Sequence, residues 1–128
     1  MAEPEWESVS SVDPEGLTPI EVEKRLLELT DTLREALVDW KTRYKAYRDT
    51  EREYDQAFAR AKLASQEATN DKKYDAELRT AAEREAKDDA DVLFKYAEQR
   101  LRSIHNVISA WQTVGKSVQQ AYQNAGRF

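Results

Sequence analysis

The sequence predicts an all-α protein: a long antiparallel two-helix hairpin, coiled-coil-like, with a disordered acidic N-terminal tail, which assembles into an oligomeric bundle. Apolar residues recur at alternating steps of three and four along two stretches of about fifty residues each, which is typical of long helices with one buried stripe. The three prolines and three glycines all lie near the ends of the chain, so no residue between 20 and 114 is a strong helix breaker.

The first 17 residues are expected to form the disordered tail. They contain five acidic residues and no lysine or arginine, and such segments bury too little apolar surface to fold. Because the whole chain has a net charge of −5, residues 18–128 are neutral overall. Trp6 is the one aromatic residue of the tail, and it fits either a short docking motif or an ordinary exposed side chain.

The first helix is predicted to begin at Pro19 and to run over about 19–68. Thr18 supplies an N-cap hydroxyl, Pro19 suits the first helical position, and Glu21 completes a capping box. The predicted stripe of this helix consists of Leu26, Leu29, Leu33, Leu37, Trp40, Tyr44, Tyr47, Tyr54, Phe58 and Ala61.

The spacing of this stripe predicts a change at Leu37. Up to that residue it follows an eleven-residue stagger, and beyond it the spacing is that of a heptad. Such a change would locally relax a left-handed supercoil. Glu51 occupies one heptad position between two tyrosines. We expect it either to mark where the stripe opens to water or to fix the register between the two helices.

A turn is predicted at about 69–71, because Asn70 and Asp71 tolerate turn conformations and cap helices. The alternative is one continuous helix through this segment. The second helix is predicted over about 72–124, so the hairpin domain spans 18–128. Its stripe consists of Ala90, Leu93, Ala97, Leu101, Ile104, Ile108, Trp111, Val118 and Tyr122.

The two ends of the hairpin differ in the size of their stripe residues. Alanines dominate near the turn, so this end is expected to be weakly held, whereas large side chains anchor the other end. Further apolar residues lie off the main stripes, at Val22, Leu27, Val38, Leu63, Val92, Phe94, Val107 and Val114. A lone hairpin would leave too much of this surface wet, which predicts a homo-oligomer with a seam at Leu33, Leu37, Trp40, Ile104, Ile108 and Trp111.

The last part of the second helix is polar but nearly uncharged over residues 103–124, which fits contact with another subunit or a polyanion better than a solvent-facing helix. Basic residues there could neutralise phosphates, and amides could contact nucleic acid or a protein. The candidate nucleic-acid or partner face consists of Arg100, Arg102, Gln112, Lys116, Gln119 and Arg127.

The sequence favours a protein that is not an enzyme and that needs no cofactor, metal or small-molecule substrate. It contains no cysteine, and its single histidine, His105, has no neighbouring metal ligand in the heptad frame. No glycine-rich phosphate loop is present. No run of 18 apolar residues and no secretory signal pattern is present either, so we expect no membrane contact and a cytoplasmic location.

Two segments carry a resemblance to a known family. These are the run Tyr54-Asp-Gln-Ala-Phe-Ala-Arg-Ala-Lys-Leu-Ala64 and the later run from Leu101 to Gln112. In this order they resemble small helical-hairpin proteins of bacteriophage and prophage replication and recombination gene clusters, although Trp111-Gln112-Thr113 stands where those proteins have Gln-Ser. The resemblance covers roughly residues 20–122 and implies an accessory role in phage DNA metabolism inside a bacterial host cell.

Two functions follow from these expectations. The first is a non-enzymatic oligomeric interaction protein, accessory to phage DNA recombination or replication, whose partners are its own copies and DNA or a DNA-binding protein. The second is a helical inhibitor or adaptor that binds a host protein without touching nucleic acid. DNA binding that weakens with salt would distinguish the first from the second.

Overall fold

The computed structural model describes residues 16–126 and is all-α within them. Its elements are α1 (Pro19–Ala64), α2 (Lys72–Arg79) and α3 (Ala81–Ala125). The two long helices α1 and α3 pack antiparallel, and α2 is a short linker helix, which confirms the predicted helical hairpin. The tail predicted for residues 1–17 lies outside the described residues up to residue 15. Within the described residues, no helix has the length and apolar character needed to cross a bilayer.

The chain divides into two compact units. We call Met1–Val38 together with Gln99–Phe128 the terminal unit, and Asp39–Glu98 the loop unit. Both long helices contribute to both units. The large buried side chains lie in the terminal unit, whose core cluster consists of Val22, Leu29, Val107, Trp111 and Val118. The buried apolar residues of the loop unit are alanines, Ala76 and Ala97, as the alanine-rich composition near the turn predicted.

The start of α1 has the predicted capping box. The Glu21 backbone N–H donates to the Thr18 hydroxyl at 3.2 Å, and the Thr18 N–H donates to the Glu21 carboxylate, also at 3.2 Å. Leu17, just before the cap, packs against the core cluster that contains Val22, which is the arrangement of a hydrophobic staple. Leu17, which the sequence analysis placed in the tail, thus contacts the folded part of the chain.

The stripe of α1 keeps one heptad phase and does not change at Leu37. Its least exposed positions are Val22, Leu29 and Ala36, and the positions between and beyond them are mostly half-buried. We assign Val22 to heptad position d and Leu26 to position a. The small Ala36, and not Leu37, faces α3, and Leu37 is 46% exposed. The stagger predicted from residue sizes was wrong because a buried alanine and a buried valine belong to the stripe.

The stripe of α3 follows a heptad as well. Ala97, Ile104, Trp111 and Val118 are buried at spacings of seven residues, and we assign them to position d. In the loop unit Phe94 is half-buried, whereas Leu93 is 46% exposed, so the predicted stripe was one residue out of phase there. The predicted stripe residue Tyr122 is likewise 52% exposed.

The connection between the long helices differs from the prediction at both ends. Helix α1 stops at Ala64, four residues before the predicted end. The predicted turn is present: the Asp71 N–H donates to the Ala68 carbonyl at 2.8 Å. Helix α2 begins at Lys72 as predicted, but the second helix breaks at Thr80. The buried hydroxyl of Thr80 donates to the Ala76 carbonyl at 2.7 Å, a side-chain bond that competes with regular helix geometry.

Candidate functional site

The terminal unit has one closed side and one open side. On the closed side, Val107 is 8% exposed and Val114 is half-buried, and Leu17 packs there against the core. On the open side lie the a positions of both helices, including Leu26 and Ile108, which are only half-buried. Adjacent e positions in antiparallel helices lie on the same side, so this side presents apolar side chains flanked by polar residues.

A groove of ≈ 550 Å³ lies on this open side, between the first turns of α1 and the last turns of α3. Gly115 explains its depth: a methyl group added at this position would lie 3.0 Å from Cγ1 of Val22. The missing side chain lets the two helices approach closely and leaves the space above them empty. The groove is lined by Pro19, Val22, Glu23, Leu26, Gln112, Gly115, Lys116 and Gln119.

Exposed aliphatic side chains border the groove on the α1 side. Ile20 is 76% exposed, Leu27 is 68% exposed and Leu37 is 46% exposed. Ile20 and Leu27 are seven residues apart at heptad position b, and Leu37 is at position e, so all three lie on the open side. We call the groove together with these three residues, Leu33 and Ile108 the groove face. Ile20 and Leu27 lie one heptad apart beside the groove, and exposed apolar side chains with polar neighbours are typical of an interaction site.

The α3 border of the groove face contains four of the six residues predicted to contact nucleic acid or a partner. Arg102, Gln112, Lys116 and Gln119 are exposed and follow one stripe of the helix, and the last three also line the groove. Arg100 is half-buried on the opposite side of the helix. Both arginines already interact within the chain. Arg127 lies outside the described residues.

The predicted oligomer seam is only partly available for contact. Ile104 is fully buried and Trp111 is 5% exposed, because both occupy d positions against α1, so neither side chain offers surface to a second copy. The guanidinium of Arg25 also covers Trp111, with its carbon 6.0 Å from the ring centroid. Leu33, Leu37 and Ile108 do lie on the groove face. Trp40 belongs to the loop unit.

Charge is divided between the two helices of the terminal unit. The α1 part, residues 19–38, has five acidic and three basic residues, a net charge of −2. The α3 part, residues 99–126, has three basic residues and no acidic ones, a net charge of +3 with histidine neutral. Glu23 of α1 and Lys116 of α3 carry opposite charges and lie on opposite borders of the groove.

The loop unit contains an aromatic cluster. Trp40 and Tyr44 stack with their ring centroids 5.3 Å apart, and Tyr47 stacks on Phe94 at 5.7 Å. Carboxylates surround it: the hydrogen bond of the Tyr47 hydroxyl to Glu51, together with burial and the nearby Asp91, raises the pKa of Tyr47 above its usual value. Glu51 and Asp91 also form ion pairs with Arg48 at 3.6 Å and with Lys95 at 3.0 Å, so the charge beside the rings is balanced.

The groove offers a surface for docking and little for chemistry. Its polar lining consists of one carboxylate, one ammonium group and two amides, without a nucleophile paired with a base. Within residues 16–126, no group of three or more histidine, aspartate or glutamate side chains is placed to hold a metal ion. His105, the single histidine, is exposed.

Sequence reasoning missed two contributors to the groove face, Ile20 and Gly115. The sequence pattern places Ile20 within the capping segment of α1 and Gly115 near the end of the chain, and it assigns neither to a surface. The signals were the seven-residue spacing from Ile20 to Leu27 and a glycine at a heptad position of an otherwise continuous stripe.

The fold is therefore a helical hairpin with an open groove in its terminal unit. Comparisons of the chain with protein-family models, with curated proteins and with solved structures gave no match. The resemblance to phage helical-hairpin proteins remains a hypothesis based on the two sequence segments.

Proposed function

We propose that this protein is a non-enzymatic interaction protein that self-associates through the groove face and serves as an accessory factor in phage DNA recombination or replication. The observation that carries the proposal is the asymmetry of the terminal unit. One side is closed by Val107, which is buried, and Val114, which is half-buried, and the other side is a groove with exposed aliphatic borders. A helical hairpin can bury an open apolar side when further helices pack on it, as they do in a four-helix bundle.

The magnitude of the exposed apolar surface supports self-association. Ile20, Leu27 and Leu37 are 76%, 68% and 46% exposed. Fully burying one aliphatic side chain of this size gains roughly 1.5–3 kcal/mol, so covering all three in each of two copies is worth several kcal/mol before the cost of association. Surface of this amount in one place favours an interface over chance exposure.

The role in DNA metabolism is supported by the acid-free part of α3. No aspartate or glutamate occurs between Gln99 and the end of the sequence, and Arg102 and Lys116 share the exposed stripe with two glutamines. Two cations neutralise few phosphates, so one copy would bind DNA weakly. Self-association multiplies these contacts, because a second copy acts at a high effective concentration.

The second candidate function is a helical adaptor or inhibitor that binds a host protein. The loop unit favours it, because Val92, Leu93 and Tyr96 form an exposed apolar patch on one helix, with exposures of 67%, 46% and 64%. The aromatic side chains of this unit add to that patch the residue types that are enriched in protein interfaces.

Self-association is tested by molar mass from light scattering between 1 and 100 µM. The double variant Leu27→Gln/Leu37→Gln removes aliphatic contact from the groove face. The matched control is Leu63→Gln/Leu78→Gln, which changes two leucines of the loop unit that are 86% and 80% exposed. We expect an oligomeric wild type, a control of the same mass, and a groove variant that dissociates. A wild type that is monomeric throughout this range would overturn the proposal.

The DNA role is tested by fluorescence anisotropy of labelled single- and double-stranded DNA at 50 and 200 mM salt. Lys116→Gln should weaken binding and reduce its salt dependence. Lys24→Gln is the matched control, since it removes the same charge from an exposed position of the terminal unit outside the groove. Absence of binding at 50 mM salt would favour the adaptor function, and equal losses in both variants would assign binding to net charge alone.

A further inference from the structure

We infer that the groove face binds the groove face of a second copy around a twofold axis parallel to the helices, so that α1 of each copy lies on α3 of the other in a four-helix bundle. This inference rests on the proposed self-association and specifies its geometry. It concerns the terminal unit alone.

The size of the groove face fits one second copy. The shorter helical part of the terminal unit, residues 19–38 of α1, contains 20 residues, which corresponds to a length of roughly 30 Å. Two helices packed 8–10 Å apart present a face roughly 20 Å wide. The product, roughly 600 Å², is close to the ~800 Å² that each partner contributes to a standard interface. A single additional helix would cover the groove but would leave part of the aliphatic border exposed.

Two arrangements bury the same face in both copies, and charge distinguishes them. An axis across the helices would place α1 on α1 and α3 on α3, so that the cations on the α3 border of one groove face, Arg102 and Lys116, would face those of the other. An axis along the helices instead places Glu23, the carboxylate of the groove lining, on the α3 border that contains Lys116. Like charges facing each other are unfavourable, so the second arrangement is selected.

The register follows from the contact between the helices within one copy. Val22 lies opposite Gly115, since a methyl group there would approach Val22 within 3.0 Å. A twofold axis along the helices preserves height along the bundle. Glu23 of one copy therefore lies at the height of Lys116 of the second copy, and the reciprocal pair forms by symmetry. The ion pairs Arg25–Glu28 and Arg34–Asp31 of the same unit involve neither Glu23 nor Lys116.

The test is a charge-reversal exchange. Glu23→Lys places two lysines at each contact, and Lys116→Glu places two glutamates there, so each variant alone should raise the dimer dissociation constant about tenfold. An equimolar mixture restores opposite charges at both contacts, as does the double variant Glu23→Lys/Lys116→Glu. The control Glu35→Lys reverses an exposed charge of α1 outside the groove lining and should leave association nearly unchanged.

Sedimentation equilibrium gives the dissociation constants, and circular dichroism verifies that each variant keeps its helices. Recovery of wild-type association in the mixture and in the double variant supports the arrangement. A wild type that dimerises, with single variants whose losses are not reversed in the mixture, overturns this arrangement and leaves the proposed function standing. A wild type that remains monomeric overturns both.

Discussion

Gly115 offers a direct test of how closely α1 and α3 approach. In Gly115→Ala the new methyl group would lie 3.0 Å from Cγ1 of Val22, whereas carbon atoms in favourable contact are about 3.5–4.0 Å apart. Val22 is 3% exposed, and a valine in a helix has one strongly preferred rotamer, so its side chain cannot turn away. The neighbouring backbone has to move instead.

The expected magnitude is a balance of two effects. Overpacking a core contact costs about 1–3 kcal/mol, while replacing glycine by alanine inside a helix gains about 1 kcal/mol. We therefore expect Gly115→Ala to lower the free energy of unfolding by about 1 kcal/mol, the difference between typical values of the two effects. Val22→Ala alone should cost about 2 kcal/mol, from the loss of two buried methyl groups and the space that they leave.

The double variant Val22→Ala/Gly115→Ala makes the prediction sharp. Without the valine methyl groups the contact disappears, so Gly115→Ala should become stabilising by about 1 kcal/mol in this background. The assay is urea unfolding followed by circular dichroism at one protein concentration, because self-association shifts apparent stability. A Gly115→Ala effect of the same sign and size in both backgrounds, with a coupling below about 0.5 kcal/mol, would refute the close approach.

Three further predictions concern the core, the helix start and the linker. Trp111→Ala should lower the free energy of unfolding by about 3–5 kcal/mol, whereas Tyr74→Ala should have little effect, because Trp111 is 5% and Tyr74 64% exposed; equal losses of melting temperature would contradict this difference in packing. Deleting residues 1–15 should leave the melting temperature unchanged and strengthen non-specific DNA attraction, since it removes five acidic charges. Extending the deletion through Thr18 removes the cap and should cost about 1 kcal/mol; unfolding of the shorter deletion would show that the acidic segment is structural. The Ser65 hydroxyl and the Arg79 guanidinium hold the pKa of Asp75 below its usual value, so its contribution to stability is present at neutral pH and is lost as the pH falls below about 4. Asp75→Asn should therefore lose less stability than the wild type between pH 5 and 3, and parallel pH profiles would assign the acid sensitivity to other groups.

The start of the hairpin was predictable because its chemistry is local. Thr18, Pro19 and Glu21 are three neighbours whose side chains satisfy the free backbone N–H groups of a first turn, and no distant contact is needed to form them. The turn at Ala68–Asp71 was predictable for the same reason. The break at Thr80 was not, because a threonine in a charged helix carries no local signal until its hydroxyl is buried and donates to the Ala76 carbonyl, which also accepts the Thr80 N–H.

The phase of the stripes could be predicted only in part. A pattern of large apolar residues favours Leu37 and Leu93 for the interior, but both are 46% exposed while Ala36 and Phe94 face the opposite helix. One residue of rotation separates the two solutions, a turn of about 100°. The fit of small against large side chains between the two helices decides it, and a single helix read alone does not contain that information.

The sequence by itself determined the two long helices, their order, the cap and the turn. It also determined which end of the hairpin has the large side chains and that the apolar surface exceeds what a hairpin can cover. These features depend on composition and on neighbours within a few residues. The tertiary structure decided which side of the terminal unit is open. It buried Ile104 and Trp111, left Ile20 and Leu27 exposed, and brought Gln112, Lys116 and Glu23 to one groove. The physical reason is that a groove forms between the surfaces of two helices. The absence of a side chain at Gly115 affects the distance between these helices only because Val22 lies opposite it.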